Sequence, residues 1–312
     1  MKRAIGIDIG GTITKIGVVS EDGNCSHKTS FRTKEYSKFK DYIDNLTNRI
    51  TEIQSKFKNI EGIGIGAPNA SKNGTIKTPA NLRWEGELNI IDDIKKKINL
   101  PLFLSNDANC AAMGEMIYGN AKGLNDFIVI TLGTGLGSGI VCNGKLLEGS
   151  EGFAAELGHF TINNKNRYTG LGIKGGLEAY VSATGLKRTI LYMLSKYTDK
   201  SIFRDVSYNN LHGEDITKAA DNGDLIAQKA YKYTGKILGE SLASFVTFTQ
   251  PEAIILTGGL VHSGKWILEP TRIAFNKKLL PFYKNKVDIL LSGLEDKDSA
   301  ILGSAALVWK NI

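Results

Sequence analysis

Hydrophobic positions at the start of the chain alternate with small or polar ones, a pattern that predicts a β-hairpin. Aliphatic side chains stand at positions 5, 7 and 9, and a second run rich in β-branched residues follows Gly10-Gly11-Thr12. Two such runs joined by a short glycine turn are typical of antiparallel strands. The same strand–turn–strand pattern surrounds residues 133–139, and a third apolar strand runs into Gly258-Gly259. The sequence therefore predicts three glycine turns, each at the end of an apolar strand.

Between these turns, apolar residues recur at helical spacing. Residues 38–58 carry them at positions 39, 43, 46, 50, 53 and 57, and residues 216–246 repeat the pattern behind an expected cap near Asp215. Both stretches are predicted to be amphipathic helices. A short apolar strand over 102–105 leads into a further predicted helix over 108–118. Strands that alternate with helices predict an α/β fold, and 312 residues suffice for two domains.

Composition and charge narrow the functional classes. The 39 basic and 32 acidic residues give a mild positive balance, which suits an anionic substrate such as ATP. The lysines are scattered and no basic helix alternates with aromatic residues, so no nucleic-acid partner is expected. No apolar run reaches the roughly 18 residues of a membrane span, and Met1-Lys2-Arg3 leads directly into a patterned strand without a signal peptide. The three cysteines lack paired spacing, so we expect reduced thiols and a cytoplasmic protein without a membrane partner.

The residues in and around the glycine turns suit a bound polyphosphate. Glycine lets the backbone approach a bulky anion, while Thr12 and Lys15 add a hydroxyl and a positive charge. Asp8 precedes the first turn, where a carboxylate can hold Mg²⁺ through water. The alternative is a tight hairpin with a solvated Asp8 and Lys15. No turn has the spacing of a P-loop or a dinucleotide fingerprint. The predicted nucleotide-binding residues are Gly10, Gly11, Thr12, Lys15, Thr131, Gly133, Thr134, Gly135, Gly258 and Gly259.

Motifs in the order of a known family extend over nearly the whole chain. They are Asp8 to Lys15, Ser105 to Ala112, Glu156 to His159, Gly175 to Tyr180 and Leu256 to Gly259. With these motifs the sequence resembles the ROK family of sugar kinases and sugar-responsive repressors, within the sugar kinase, heat-shock 70 and actin superfamily. The resemblance implies two actin-like ATPase (ribonuclease H-like) domains with ATP in a cleft between them, which we place at residues 1–120 and 121–312.

The resemblance also implies a catalytic base and a sugar site. Asp107, at the carboxyl end of the 102–105 strand, would accept the proton of a sugar hydroxyl as that hydroxyl attacks the γ-phosphorus of ATP. The alternative is a helix cap that only satisfies free N–H groups. Amides and carboxylates suit sugar hydroxyls, which both donate and accept. The expected sugar contacts are Asn69, Asn81, Asn106, Asp107, Glu156, His159 and Glu178. For Asn69, a plain turn residue is the alternative.

The segment around these ligands departs from the family in one respect. Many members have three cysteines there which, with the histidine of the Glu-x-Gly-His motif, bind a structural zinc ion. Thr169, Leu171 and Gly176 occupy those positions here, and His159 alone cannot complete a four-ligand site. We therefore expect no structural zinc. The placement of His159 and Glu178, which the metal helps to fix in zinc-bearing relatives, is left to other contacts.

Together with the resemblance, these residues predict an ATP- and Mg²⁺-dependent kinase that phosphorylates a hexose. The expected acceptor is the 6-hydroxyl of glucose. The same residues would suit mannose, fructose, N-acetylglucosamine or N-acetylmannosamine, since these sugars share hydroxyls. A non-catalytic sugar sensor is a further alternative. A repressor is disfavoured, because family repressors carry a DNA-binding domain ahead of the first hairpin and about four residues precede it here. Homodimers are common in the family, so a homodimer is left open.

Overall fold

The computed structural model describes residues 1–77, 82–162 and 167–312. Its strands are β1 (Arg3–Ile9), β2 (Ile13–Ser20), β3 (Cys25–Arg32), β4 (Ile60–Ala67), β5 (Ile76–Lys77), β6 (Glu87–Leu88), β7 (Leu102–Asn106), β8 (Phe127–Leu132), β9 (Leu136–Cys142), β10 (Lys145–Leu146), β11 (Ala253–Thr257) and β12 (Asp288–Leu291). Its α-helices are α1 (Phe39–Lys56), α2 (Ile90–Lys95), α3 (Asp107–Tyr118), α4 (Ala183–Lys196), α5 (Gly213–Asp221), α6 (Leu225–Thr249), α7 (Lys265–Lys278) and α8 (Asp296–Asn311). The predicted mixture of strands and helices is confirmed.

The chain divides into two compact units, and neither is continuous in sequence. The first unit comprises Met1–Leu124, Gly139–Ala155 and Ser292–Ile312. The second unit comprises Asn125–Ser138 and Glu156–Leu291. The chain passes from the second unit to the first within β9, and α8 returns it to the first unit at the C-terminus. The domain division at 120 and 121 stays a prediction.

The first unit contains a five-stranded sheet with the order β3-β2-β1-β4-β7. Strands β1 to β3 are antiparallel, whereas β1, β4 and β7 run parallel. The predicted first hairpin is confirmed, because Ile9 pairs with Thr14 across the glycine turn. The helix predicted over 38–58 is confirmed as α1, which buries Ile43, Leu46 and Ile50 in the same hydrophobic core as the sheet.

Two glycines in this sheet allow α8 to lie directly against it. A Cβ atom at Gly6 would overlap the carbonyl oxygen of Ile301, and one at Gly64 would overlap that of Ser304. Glycine weakens a strand interior unless another group must approach its backbone closely. Here the approaching group is the backbone of α8, and Ile301 is buried against the sheet. The glycines of β1 and β4 thus determine where the C-terminal helix packs.

Because of this close approach, Gly64→Ala is expected to lower the free energy of unfolding by about 3 kcal/mol, since overpacking forces backbone to move. The measurement is the urea midpoint at constant slope. Gly213→Ala is the matched control, because a Cβ atom at Gly213 meets nothing within 4 Å and alanine reduces the entropy of the unfolded chain. Equal midpoints for the two variants would contradict the packing of α8 described here.

The second sheet has the order β10-β9-β8-β11-β12. Strands β8, β11 and β12 are parallel, and Thr131 pairs with Thr257 at the carboxyl ends of β8 and β11. Strands β8 and β11 are largely apolar and buried, which is typical of parallel strands covered on both faces. Helix α6 of the second unit buries Leu238, Leu242 and Phe245.

The prediction of one helix over 216–246 is wrong, because the stretch contains α5 and α6. Gly223 has φ +88° and interrupts the helical backbone after α5. The Asp224 carboxylate then caps α6 and accepts hydrogen bonds from the N–H groups of Ile226 (2.9 Å) and Ala227 (3.1 Å). Glycine in the left-handed region followed by an aspartate cap is a strong stop and start signal, whereas the apolar spacing is continuous across it.

Two sequence predictions concern the oxidation state of the cysteines and the absence of membrane-spanning helices. Cys25, Cys110 and Cys142 are not joined in disulfides, and the reduced thiols that the sequence predicts are confirmed. Among the described residues, none of the helices has both the length and the apolarity needed to cross a lipid bilayer.

Candidate functional site

The carboxyl end of the parallel strands in the first sheet gathers several predicted residues. Asp8 pairs with Lys15 across the first hairpin and with Gly66 on β4. In turn, Ala67 on β4 pairs with Asn106 at the end of β7. This end of an open α/β sheet is the usual place for ligands. The register therefore brings the first glycine turn and the Asn106-Asp107 pair to one edge.

Asp107 is the first residue of α3, and two side chains cap that helix. The Ala108 N–H donates to Oδ1 of Asn106 at 2.9 Å and to Oδ1 of Asp107 at 2.8 Å. Asn106 is thus the N-cap residue, which is the role that asparagine favours at this position. The capping alternative for Asp107 is also realised, since one of its oxygens holds the same N–H. A proton-accepting role remains open to it, because its side chain is exposed.

The electrostatics of this edge couple its two carboxyl groups. Burial and, to a smaller extent, the negative charge of Asp107 together raise the pKa of Asp8 to about 6, while Lys15 acts in the opposite direction. Although Asp107 keeps accessible surface, the protein atoms around it partly desolvate its carboxylate and raise its pKa, against the opposing effect of the Ala108 N–H. Shifts of this kind, caused by desolvation and a like charge together, are concentrated at functional sites.

A divalent cation would suit these two carboxylates. Asp8 supplies an oxygen ligand, and a cation near it would offset both its burial and the charge of Asp107. Among the described residues, no group of three or more His, Cys, Asp and Glu side chains is arranged to hold a metal ion. Mg²⁺ needs no such cage, because it retains several waters and binds through one or two carboxylates. The residues present therefore fit Mg²⁺ held through water.

Two predicted sugar contacts in this unit have different outcomes. Asn69 lies in a turn after Pro68 with φ +53°, a left-handed conformation that asparagine tolerates. Its carbonyl oxygen accepts the N–H of Lys77 at 3.0 Å. The turn alternative for Asn69 is thus present, and a sugar contact by its side chain stays a prediction. Asn81 lies outside the described residues.

In the second unit, the second and third glycine turns meet at the carboxyl ends of β8 and β11. Gly258 follows β11 with φ +95°, and a Cβ atom there would lie 2.7 Å from the carbonyl oxygen of Leu132 at the end of β8. Both the conformation and the space thus require glycine at this position. The two turns were predicted from separate stretches of sequence, and the parallel pairing of Thr131 with Thr257 brings them together.

The hydroxyl groups of the second turn have different surroundings. The Thr131 hydroxyl accepts the N–H of Gly137 at 3.1 Å and so holds the two strands of the turn together. Gly133 N–H donates to the carbonyl of Gly135 at 3.0 Å, whereas Thr134 is exposed at the tip. Exposed backbone and hydroxyl groups at such a turn can receive a phosphate. Phosphate binding by Thr131, Thr134 and the glycines stays a prediction.

The predicted sugar-binding carboxylate Glu178 is fixed by two backbone donors in the second unit. Its Oε1 accepts the N–H of Gly170 at 2.8 Å, and its Oε2 accepts the N–H of Leu136 at 3.1 Å. A Cβ atom at Gly135 would overlap Oε2 of Glu178, so a larger residue there would displace this carboxylate. Glu178 therefore joins the second glycine turn to the loop that follows Thr169. Each oxygen keeps further accepting capacity.

Glu156 and His159 lie on one short helical turn, as their spacing predicted. Residues Leu157–His159 form a single 3₁₀ turn, and Nε2 of His159 lies 4.0 Å from Oε2 of Glu156. The other ring nitrogen, Nδ1, lies 3.2 Å from the hydroxyl oxygen of Thr169. Glu156 is exposed, whereas the His159 side chain is mostly covered. The pair therefore presents a carboxylate and an imidazole next to each other.

The three positions that lack cysteine have unlike roles. Thr169 is buried, and Leu171 is exposed at 56% of its surface. A Cβ atom at Gly176 would lie 2.5 Å from the methyl carbon of Thr169, so the threonine fills the space that a larger residue at 176 would need. Sequence reasoning missed Thr169 as a contact of His159. The one feature of the sequence that could have indicated this contact is a hydroxyl residue at the first of the three positions where relatives have cysteine.

Comparison with known proteins places similarity over both units. The model of the ROK family matches residues 4–311. A glucokinase from Thermotoga maritima is 29% identical, and the match covers 99% of this chain and 98% of that protein. A xylose repressor from Bacillus spizizenii is 30% identical, and the match covers 98% of this chain and 76% of that protein. Among solved structures, a ROK family glucokinase from Streptomyces griseus in complex with glucose and AMPPNP is 29% identical, covers 99% of this chain and 100% of its own, and has a TM-score of 0.80. The predicted α/β fold of the actin-like ATPase type is thereby confirmed.

Proposed function

Since the chain belongs to the ROK family, we propose that it is an ATP-dependent kinase that transfers the γ-phosphate of ATP to the 6-hydroxyl of glucose. The observation that carries the proposal is the edge of the first sheet, where Asp107 lies at the start of α3 and interacts electrostatically with Asp8. Similarity to glucokinases over nearly the full chain supports glucose as the sugar.

In this mechanism, Asp107 acts as the general base. Its Oδ1 is held by the Ala108 N–H, which leaves Oδ2 to accept the proton of the sugar hydroxyl as the hydroxyl oxygen attacks the γ-phosphorus. The raised pKa of Asp107 makes its carboxylate a stronger base. Lys15 and the N–H groups of the glycine turns would stabilise the negative charge that spreads over the transferred group. Asp8 would hold Mg²⁺ through water, and that ion neutralises phosphate charge.

The sugar would be held by amide, carboxylate and imidazole groups. Carboxylates accept strong hydrogen bonds from hydroxyls, and an imidazole or an amide can donate in return. Beyond these roles, we expect cytoplasmic action at the entry to glycolysis, since glucose 6-phosphate feeds that pathway, and a homodimer is compatible with the proposal. The proposed sugar ligands are Asn69, Asn81, Asn106, Glu156, His159 and Glu178.

A second candidate is a sugar sensor without catalysis. The observation that favours it is the similarity to a xylose repressor, which is 30% identical over 98% of this chain. The two functions make different demands on Asp107. A kinase needs it as a base, whereas a sensor needs only the hydrogen bonds that hold the sugar.

The test is ADP release from MgATP with a panel of glucose, mannose, fructose, xylose, N-acetylglucosamine and N-acetylmannosamine. We expect the highest kcat/KM with glucose, and ³¹P and ¹³C NMR of the product should place the phosphate on the 6-oxygen. Preference for another hexose would overturn the choice of sugar and leave the kinase. Sugar binding by calorimetry without turnover for any sugar would overturn the kinase and favour the sensor.

A further inference from the structure

Thr169 occupies a position between two functional parts of the second unit. Its hydroxyl oxygen accepts the N–H of Ile173 at 3.1 Å and lies 3.2 Å from Nδ1 of His159. The N–H of the next residue, Gly170, donates to Glu178 at 2.8 Å. The Thr169 side chain is buried, so water competes poorly for these hydrogen bonds. A single loop thus contacts both the imidazole and the carboxylate of the proposed sugar site.

The hydrogen bonds of the Thr169 hydroxyl bear on which ring nitrogen of His159 carries the proton. A threonine hydroxyl has one hydrogen to donate, and its oxygen already accepts from Ile173. His159 Nδ1 is the acceptor that the structure places within reach of that hydrogen. A neutral imidazole that accepts at Nδ1 carries its proton at Nε2. We propose that Thr169 is a positioning residue that holds His159 in the Nε2-protonated form.

This form gives the site a matched donor and acceptor. The Nε2–H group of His159 faces Oε2 of Glu156, and the 4.0 Å between the two atoms is too long for a direct hydrogen bond. One sugar hydroxyl placed against both atoms would accept from Nε2–H and donate to the Glu156 carboxylate. The opposite tautomer would present a lone pair at Nε2, and the hydroxyl would then face two acceptors with one hydrogen. Thr169 therefore sets the selectivity for a hydroxyl, a step that rests on the proposed function.

The proposal predicts a spectroscopic signature that does not depend on catalysis. Long-range ¹H–¹⁵N correlation at about pH 8.5, where an imidazole is neutral, should show the Nε2-protonated pattern for His159, assigned through its loss in His159→Gln. Thr169→Val keeps the shape but removes the hydroxyl, so the pattern should become a mixture of both tautomers. Thr169→Ser restores the hydroxyl and should restore the pattern.

The proposal also predicts that loss of the Thr169 hydroxyl raises KM for glucose and leaves kcat nearly unchanged. Thr169→Val is expected to raise KM for glucose about tenfold, with kcat and KM for ATP within about twofold, and Thr169→Ser should return KM to within about threefold. An Nδ1-protonated His159 in the native protein would overturn the proposal, and so would a Thr169→Val variant with unchanged tautomer and KM. If Thr169→Val does not fold, the tautomer of His159 in the native protein and in Thr169→Ser tests the proposal instead. If no sugar is phosphorylated, the proposed function fails, while the spectrum of the ligand-free protein still decides the role of Thr169.

Discussion

Asp107→Asn is expected to lower kcat for glucose phosphorylation about 10³-fold while KM for glucose changes less than threefold. The amide has the shape of the carboxylate and can still accept the Ala108 N–H that holds Oδ1 at 2.8 Å. What it loses is the basic oxygen that takes the proton, and general bases contribute roughly 10² to 10⁴ in rate. The measurement is the steady-state rate of ADP release with saturating MgATP.

The matched control is Asp224→Asn. Asp224 also caps a helix, through the N–H groups of Ile226 and Ala227, and asparagine caps helices as well as aspartate does. This variant should keep kcat within about twofold, which separates the loss of a base from the loss of a cap charge. An Asp107→Asn enzyme with more than a third of the native kcat would refute Asp107 as the base.

Asp8→Asn is expected to change activity and stability in opposite directions. The carboxylate of Asp8 is held near Asp107 in partly buried surroundings that raise its pKa from 3.8 to about 6. The stability associated with a raised carboxyl pKa is fully present below about pH 3.8 and is lost as pH rises through about 6. At pH 8 the ionised group therefore destabilises the ligand-free fold. Replacing it with a neutral amide should raise the free energy of unfolding by about 1–3 kcal/mol.

The gain should depend on pH in a defined way. Urea unfolding of the ligand-free variant and native protein at pH 8 should show the full difference, which shrinks to about half at pH 5 as the native carboxyl takes up its proton. In the same variant, kcat with MgATP should fall by about 10² or more, because the metal loses its carboxylate. Lower stability of Asp8→Asn at pH 8 would contradict the electrostatics of this edge. Undiminished activity would contradict its role toward Mg²⁺.

Local patterns determined much of the secondary structure. The first hairpin follows from two runs rich in β-branched residues around Gly10-Gly11-Thr12, and α1 follows from the apolar period over 39–57. These elements depend on neighbours in sequence, so their signal is local. The break between α5 and α6 was missed because the apolar spacing continues through it, while the turn depends on the conformation of Gly223.

In the candidate site, too, local sequence patterns identified the residue types but not their contacts. Motifs identified Asp8, Asp107, His159 and Glu178 as residues with suitable chemistry, and the family resemblance supplied their roles. No local pattern indicated that Asp8 and Asp107 would interact across nearly one hundred positions of sequence. Nor did one indicate that Thr169 would contact His159.

The sequence by itself determined the two hairpins, the strands that precede Asn106 and Gly258, the glycine turns, helices α1 and α3, and the types of side chain available for phosphate and sugar chemistry, because each of these depends on a few adjacent residues. Only the tertiary structure decided that α8 packs on Gly6 and Gly64, that two carboxylates share one sheet edge, and that a threonine hydroxyl holds His159. These features depend on parallel strand register and on side chains from distant segments, and a pairing over such separations leaves no periodic trace in the chain.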